Sequence, residues 1–276
     1  MLQQIVIQNT PPMTFDIDSV DPSETLIVKN ISGLLASDVT LFTGDFAGEG
    51  GYYQGRRSGK RNPVITFKLN PDYAADIDIS DIRDTLYRQF YQPNGSFGSK
   101  GGVKILLKDD RRPDRYFIGY VEKYAGELFS KEQEAQISML CMEPYLLSET
   151  SSFFFDAVGW VSTAFTYDGT AETGLDVHIK IKTATNVVVL DLNGDKMTIN
   201  KPSGTFAVGD TISINTNDGT RYVRHNGVDV MAMLATNSVW LKVEKPDNII
   251  KTHGSVVGDG KTAIEDYQFR SAWWGI

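Results

Sequence analysis

The stretch Val187-Val188-Val189-Leu190-Asp191-Leu192-Asn193-Gly194-Asp195-Lys196-Met197-Thr198-Ile199 decides the fold class of the second half of the chain. Aliphatic and β-branched residues on either side suit a pleated, half-buried surface. Between them, Asn193-Gly194 tolerates the positive φ angles of a tight two-residue hairpin turn. The pattern recurs downstream. Thr211–Asn215 meets Asn217-Asp218-Gly219 and returns through Tyr222-Val223-Arg224, and Asn226-Gly227 marks a third turn. Short strands at spacings near ten residues, joined by such turns, predict a β-sandwich.

Upstream of residue 150 the texture differs. Residues 63–69 alternate Val64, Thr66 and Lys68 against Ile65, Phe67 and Leu69, the period of a half-buried strand. Comparable patches at 2–7, 25–29, 103–108, 115–124 and 135–142 predict further strands. One segment reads as helix. From Ile79 to Tyr91, the residues Ile82, Leu86 and Phe90 recur every four positions on one face, with Asp78 or Ser80 placed to cap the start. Pro93-Asn94-Gly95 beyond it is a turn. Leu146–Ser152 reads as the connector between the two halves.

With 276 residues, 41% hydrophobic and 22% charged, the chain has the composition of a folded globular protein of one or two domains. The net charge of −8 argues against a general nucleic-acid binder, which carries a basic surplus, and leaves room for a local basic patch. A single cysteine, Cys141, rules out an internal disulfide and any thiolate metal cluster within one chain. Its neighbours Met139, Leu140 and Met142 mark it as a small buried hydrophobe. The opening residues Met1–Gln8 lack a basic, apolar leader, and no apolar run reaches the ~18 residues of a membrane helix. The expectation is synthesis in the cytoplasm without membrane insertion.

Catalytic patterns are sparse. His178 alternates with apolar residues on a strand, His225 flanks the Asn226-Gly227 turn, and His253 precedes Gly254; none has metal-ligand spacing. Asp109-Asp110-Arg111-Arg112-Pro113-Asp114 reads as a charged turn between strands. Gly55-Arg56-Arg57-Ser58-Gly59-Lys60-Arg61 is one residue short of a nucleotide phosphate loop. It also has Arg61 where magnesium coordination needs a hydroxyl, and a strand follows instead of a helix. No catalytic residue, cofactor or metal site is expected.

Two features point to interfaces. Arg56, Arg57, Lys60 and Arg61 cluster on a 55–61 turn and suit an acidic neighbouring subunit or passing DNA phosphates. Trp273 and Trp274 near residue 276 point to opposite faces of a strand, so burying both needs protein on two sides. A docked final strand and a subunit contact are the two readings.

In order along the chain, several segments resemble the distal tail protein (Dit) family of siphovirus-type, long-tailed bacteriophages. They are Gly51-Tyr52-Tyr53-Gln54-Gly55-Arg56-Arg57-Ser58-Gly59-Lys60-Arg61 leading into a strand, a helix with Ile79, Arg83, Leu86 and Tyr87, and Arg115-Tyr116-Phe117-Ile118-Gly119-Tyr120-Val121-Glu122. Phe129–Ser138 and Cys141-Met142-Glu143-Pro144-Tyr145 complete the set over residues 45–146. The second half is similar through Gly209–Ile214, Asn217-Asp218-Gly219, Trp240-Leu241-Lys242 and Pro246-Asp247-Asn248-Ile249-Ile250, where relatives carry Pro-Gly-Asn.

The resemblance implies a mainly β fold with one principal helix. Residues 1–146 would form a ring-forming, split-barrel-like hub domain, with the final strand 264–276 a candidate to return to it. Residues 150–263 would form a galectin-like β-sandwich. It further implies a structural, non-enzymatic virion protein at the tail tip, assembled as a hexameric ring. Its implied partners are the tail tube protein, a tail-associated lysin or tail fibre protein and, in some phages, receptor-binding proteins, with transient contact to passing phage DNA. The alternative function is a carbohydrate-binding adhesion module, although the hairpin loops show no Trp-plus-polar cluster. A glycoside hydrolase ranks third.

Overall fold

In the computed structural model, the residues described are 2–8, 11–17, 19, 21, 24–45, 51–72, 75–90, 102–126, 133–149, 151–244 and 246–276, with the side chains of Arg56, Ala157 and Val158 excepted. The predicted turn Pro93-Asn94-Gly95 and the segment Phe129–Glu132 lie outside them. The chain divides into two compact units, Met1–Glu149 with Trp273–Ile276, and Thr150–Ala272.

The first unit holds β1 (Leu2–Ile7), β2 (Met13–Asp16), β3 (Leu26–Ser32), β4 (Val39–Asp45), β5 (Gly51–Ser58), β6 (Val64–Leu69), α1 (Ile79–Phe90), β7 (Val103–Asp109), β8 (Arg115–Gly126), β9 (Glu134–Leu140) and β10 (Leu146–Ser148). Its main sheet runs β2-β1-β7-β8-β9-β6-β3. The twelve-residue β8 serves three neighbours: Arg115–Gly119 pairs with β7, Arg115 and Tyr116 also pair with β10, and Tyr120–Gly126 pairs with β9 across an irregularity near Val121. Such a bulge bends a strand and increases its twist. The two ends of the path then meet at a parallel bridge between Ile17 and Val28, so the sheet curls into a barrel.

The strand residues expected to face inward do so: Ile65 and Phe67 are fully buried, with Leu69 beside them. Helix α1 packs Ile82, Leu86 and Phe90 on this core, and the Phe90 ring meets Phe67 edge-on at 5.9 Å. Of the two capping candidates, Asp78 caps. Its Oδ1 accepts from the backbone N–H of Ser80 at 2.6 Å and of Asp81 at 3.1 Å, and Asp81 Oδ2 accepts from Asp78 N–H in return. This reciprocal pairing satisfies donors that a helix start leaves free.

The second unit is a two-layer sandwich. One sheet is β11 (Ser152–Trp160), β20 (Thr262–Phe269), β13 (Asp176–Ile181), β16 (Thr211–Asn215), β17 (Tyr222–His225) and β18 (Val228–Asp229), in that order. The other is β12 (Ser162–Thr166), β19 (Asp247–His253), β14 (Val187–Leu192) and β15 (Asp195–Asn200). Between them lie Val177, Ile179, Val188, Leu190, Met197, Ile212, Ile214 and Ile264. The β14–β15 turn adopts φ 57 at Asn193 and 102 at Gly194, as the Asn-Gly signal predicts; Asn226-Gly227 does the same at 48 and 83. β20 stays in this unit, so only Trp273–Ile276 of the 264–276 segment returns to the first.

Candidate assembly surfaces

The basic segment is built differently from the turn that its glycines suggest. Residues 51–58 form strand β5, paired in antiparallel register with β4, so that Thr40 opposes Arg57 and Phe42 opposes Gly55. Gly55 opposes an exposed Phe42 at a register shift, and the ladder resumes with Thr43 opposite Tyr53. Arg57 and Lys60 are exposed; the Arg56 side chain lies outside the described residues.

Arg61 is the departure. Its side chain is only 2% exposed, and its guanidinium donates to three backbone carbonyls of its own unit. These are Leu34 O from Nη1 at 2.9 Å, Pro144 O from Nη2 at 2.7 Å, and Trp274 O from Nη2 at 2.6 Å. Five fixed donors on a planar fork let one side chain satisfy carbonyls from three separate segments. Burial lowers its pKa. Beside it, Cys141 is fully buried, and burial pushes its thiol up to about 12. A thiol held there is neutral and unreactive at neutral pH.

The tryptophans join the same construction. Trp273 belongs to the first core, and the Arg115 guanidinium sits 5.7 Å from its ring centroid. Arg115 is itself buried and donates to Gly275 O at 3.2 Å. Trp274 meets Tyr145 edge-on at 4.9 Å. Within the first unit, then, two buried arginines anchor residues 273–276. Arg61 and Trp273 serve this chain's own packing, which leaves Arg57 and Lys60 as the exposed cations among the cluster's described side chains.

The remaining feature is one that the sequence did not single out. Among the described strands, β4 and β5 pair only with each other. The ribbon they form exposes Leu41 and Tyr53 by 61% each, together with Val39, Phe42 and Tyr52. The outer edge of each strand pairs with no other described strand, and an edge of that kind readily accepts a further strand. An apolar cluster of this kind on a monomer marks an interaction site. The run Val39-Thr40-Leu41-Phe42-Thr43 has high β propensity, the one local signal of the ribbon.

The titratable residues are used locally. His178 Nδ1 lies 2.6 Å from Asp266 Oδ1, and His225 Nε2 lies 2.8 Å from Asp210 Oδ2. His253 is buried at the end of β19. Asp210 accepts from Asn226 Nδ2, from His225 and from the Ala207 N–H, which hold its carboxyl down at about 2. Asp109, in the charged turn, is likewise held at about 2, first by the Arg111 N–H. Among the described residues no group of three or more His, Cys, Asp or Glu is placed to hold a metal ion. No described helix is long and apolar enough to cross a membrane. An open cleft of about 640 Å³ in the second unit is lined by Asp191, Asn193, Glu244, Asp247 and Lys251.

Residues 168–269 match the family described as "Siphovirus-type tail component, C-terminal domain" (SPP1_Dit). No curated protein matches the chain by sequence. Among solved structures, the chain shares a fold with the Dit (gp 19.1) protein of phage SPP1, described as a paradigm of the hub adsorption apparatus in phages infecting Gram-positive hosts. That match has a TM-score of 0.60 at 14% identity and covers 98% of this chain and 99% of that one. The baseplate of phage p2 in its activated conformation, with strontium, gives a TM-score of 0.44 at 12% identity, covering 98% of each chain.

Proposed function

We propose that the protein is the distal hub of a phage tail, a reading supported by the match of residues 168–269 to the siphovirus-type tail-component family. On this reading it forms a hexameric ring through its first unit and links the tail tube above to the tail-tip and host-adhesion proteins below. The observation that carries it is the β4–β5 ribbon. The barrel closes on itself, whereas the ribbon offers five exposed apolar side chains and two edges that no other described strand covers. A ring is built from head-to-tail contacts, in which one surface of each copy meets a different surface of the next. A projecting ribbon docking onto a neighbour's barrel has that asymmetry.

Arg57 lies on the same ribbon, and with an overall charge of −8 each copy offers carboxylates for it to meet. The function is geometric: the ring sets a fixed diameter and symmetry for whatever binds above and below it. No substrate is turned over.

The test is electron microscopy and native mass measurement of the full chain, with Leu41→Ser/Phe42→Ser as the probe. Rings in the wild type and folded monomers in the variant, with unchanged melting, support the reading. Rings that survive the double substitution, or turnover of a substrate by a pure sample, overturn it.

A further inference from the structure

The outward face of the six-stranded sheet carries a pattern separate from the β4–β5 ribbon. Alternate strand residues point to opposite faces. On the edge strand β11, Phe154 stacks inward on Tyr267 at 4.7 Å, while Phe153 and Phe155 point outward, 58% and 62% exposed. Two positions apart, their rings are offset by about 7 Å along the strand.

The strand register sets a row of hydrogen-bonding side chains beside them. Phe155 opposes Asp266, which opposes His178, then Ser213, then Arg224. One step along, Phe153 opposes Gln268. The row is held in place. His178 and Asp266 bond at 2.6 Å, the Tyr222 hydroxyl donates to Asp176 at 3.1 Å, and the Arg224 guanidinium rests 4.3 Å from the centre of the Tyr222 ring.

We propose that this face binds a neutral saccharide, with the Phe153 and Phe155 rings as its platform and the Gln268, His178, Ser213 and Arg224 side chains as its hydrogen-bonding wall. A pyranose ring has two chemistries at once. Its C–H face suits the negative face of an aromatic ring, and its hydroxyls both donate and accept. The sheet supplies apolar rings at its edge, then an amide, an imidazole, a hydroxyl and a guanidinium in one line. The carboxylates of Asp266 and Asp176 orient the donors beside them and repel anionic polymers, so the ligand class is uncharged hexose or N-acetylhexosamine. Single-site binding on an open face is weak, and copies held in one assembly would raise it through multivalency.

The test uses the full chain on an array of neutral hexose and N-acetylhexosamine oligosaccharides, followed by saturation-transfer NMR with the best binder. Phe153→Ser/Phe155→Ser is expected to weaken binding at least tenfold, or about 1.4 kcal/mol. Arg224→Ala is expected to weaken it severalfold. Val208→Ser, an equally exposed apolar residue on a loop, leaves it unchanged. Near-ultraviolet circular dichroism confirms that each variant is folded. Three results overturn the proposal: no neutral glycan bound at millimolar concentration, equal binding by the double phenylalanine variant, or capture of a tail-protein strand at β11 in place of any glycan. A protein that forms rings but binds no glycan overturns this inference and leaves the hub reading standing.

Discussion

Replacing Arg61 with Met keeps most of the side-chain volume and removes every donor. Three carbonyls, the buried Leu34 O and the part-buried Pro144 O and Trp274 O, then lose their partner. Leaving a buried polar group unsatisfied costs about 1–3 kcal/mol each, partly offset because a charged group no longer has to be desolvated. The expected net loss is about 3–5 kcal/mol, similar to breaking one side of a buried ion pair. For a unit of this size each kcal/mol lowers the melting point by about 2–4 °C, so a fall on the order of 10 °C follows. Calorimetry of the full chain is the assay, because the first unit is expected to lose stability while the second melts as before. Limited proteolysis should show faster cleavage around residues 270–274. A first-unit shift below about 2 °C, or equal shifts in both units, would refute the claim that the guanidinium fastens these segments together.

Arg57→Glu is expected to abolish rings while the monomer stays folded; normal rings with altered DNA ejection would instead place Arg57 on the lumen, and unaffected, infectious particles would defeat both placements. Gly33 sits at φ 75, and a Cβ there would lie 2.2 Å from Asn62 O, so Gly33→Ala should destabilise the first unit by more than about 2 kcal/mol in denaturant titration. Asp210, held at about 2 against an ordinary 3.8, contributes stability that is complete above pH 3.8 and is lost as pH falls through 2. The second unit of Asp210→Asn should therefore melt lower than wild type at neutral pH and show a shallower decline between pH 4 and 2; parallel pH curves would contradict this.

The elements legible in the sequence are those whose period has a core to answer to. Ile65, Phe67 and Leu69 alternate because one face of β6 is buried, and Ile82, Leu86 and Phe90 recur because one face of α1 is. Asn193-Gly194 is legible because the turn's φ angles are a local property. The β4–β5 ribbon has no buried face to select an alternation, so residues 55–61 read as a turn when 51–58 is strand. Arg61 was read as a surface cation because its acceptors lie 27, 83 and 213 positions away in the chain. No local pattern encodes such a meeting. The row from Phe155 through His178 to Arg224 stayed hidden for a related reason: it exists only once the strand order β11-β20-β13-β16-β17 is known.

Because residues 273–276 rejoin the unit that began the chain, the sandwich is threaded into the barrel domain as an insertion. On the ribosome, the barrel domain waits for a piece encoded more than a hundred codons after the rest of it. A nascent chain that stalls inside the sandwich leaves the Arg61 and Arg115 guanidinium groups without their last carbonyls. A copy truncated there lacks the Trp273 side chain that completes the first core.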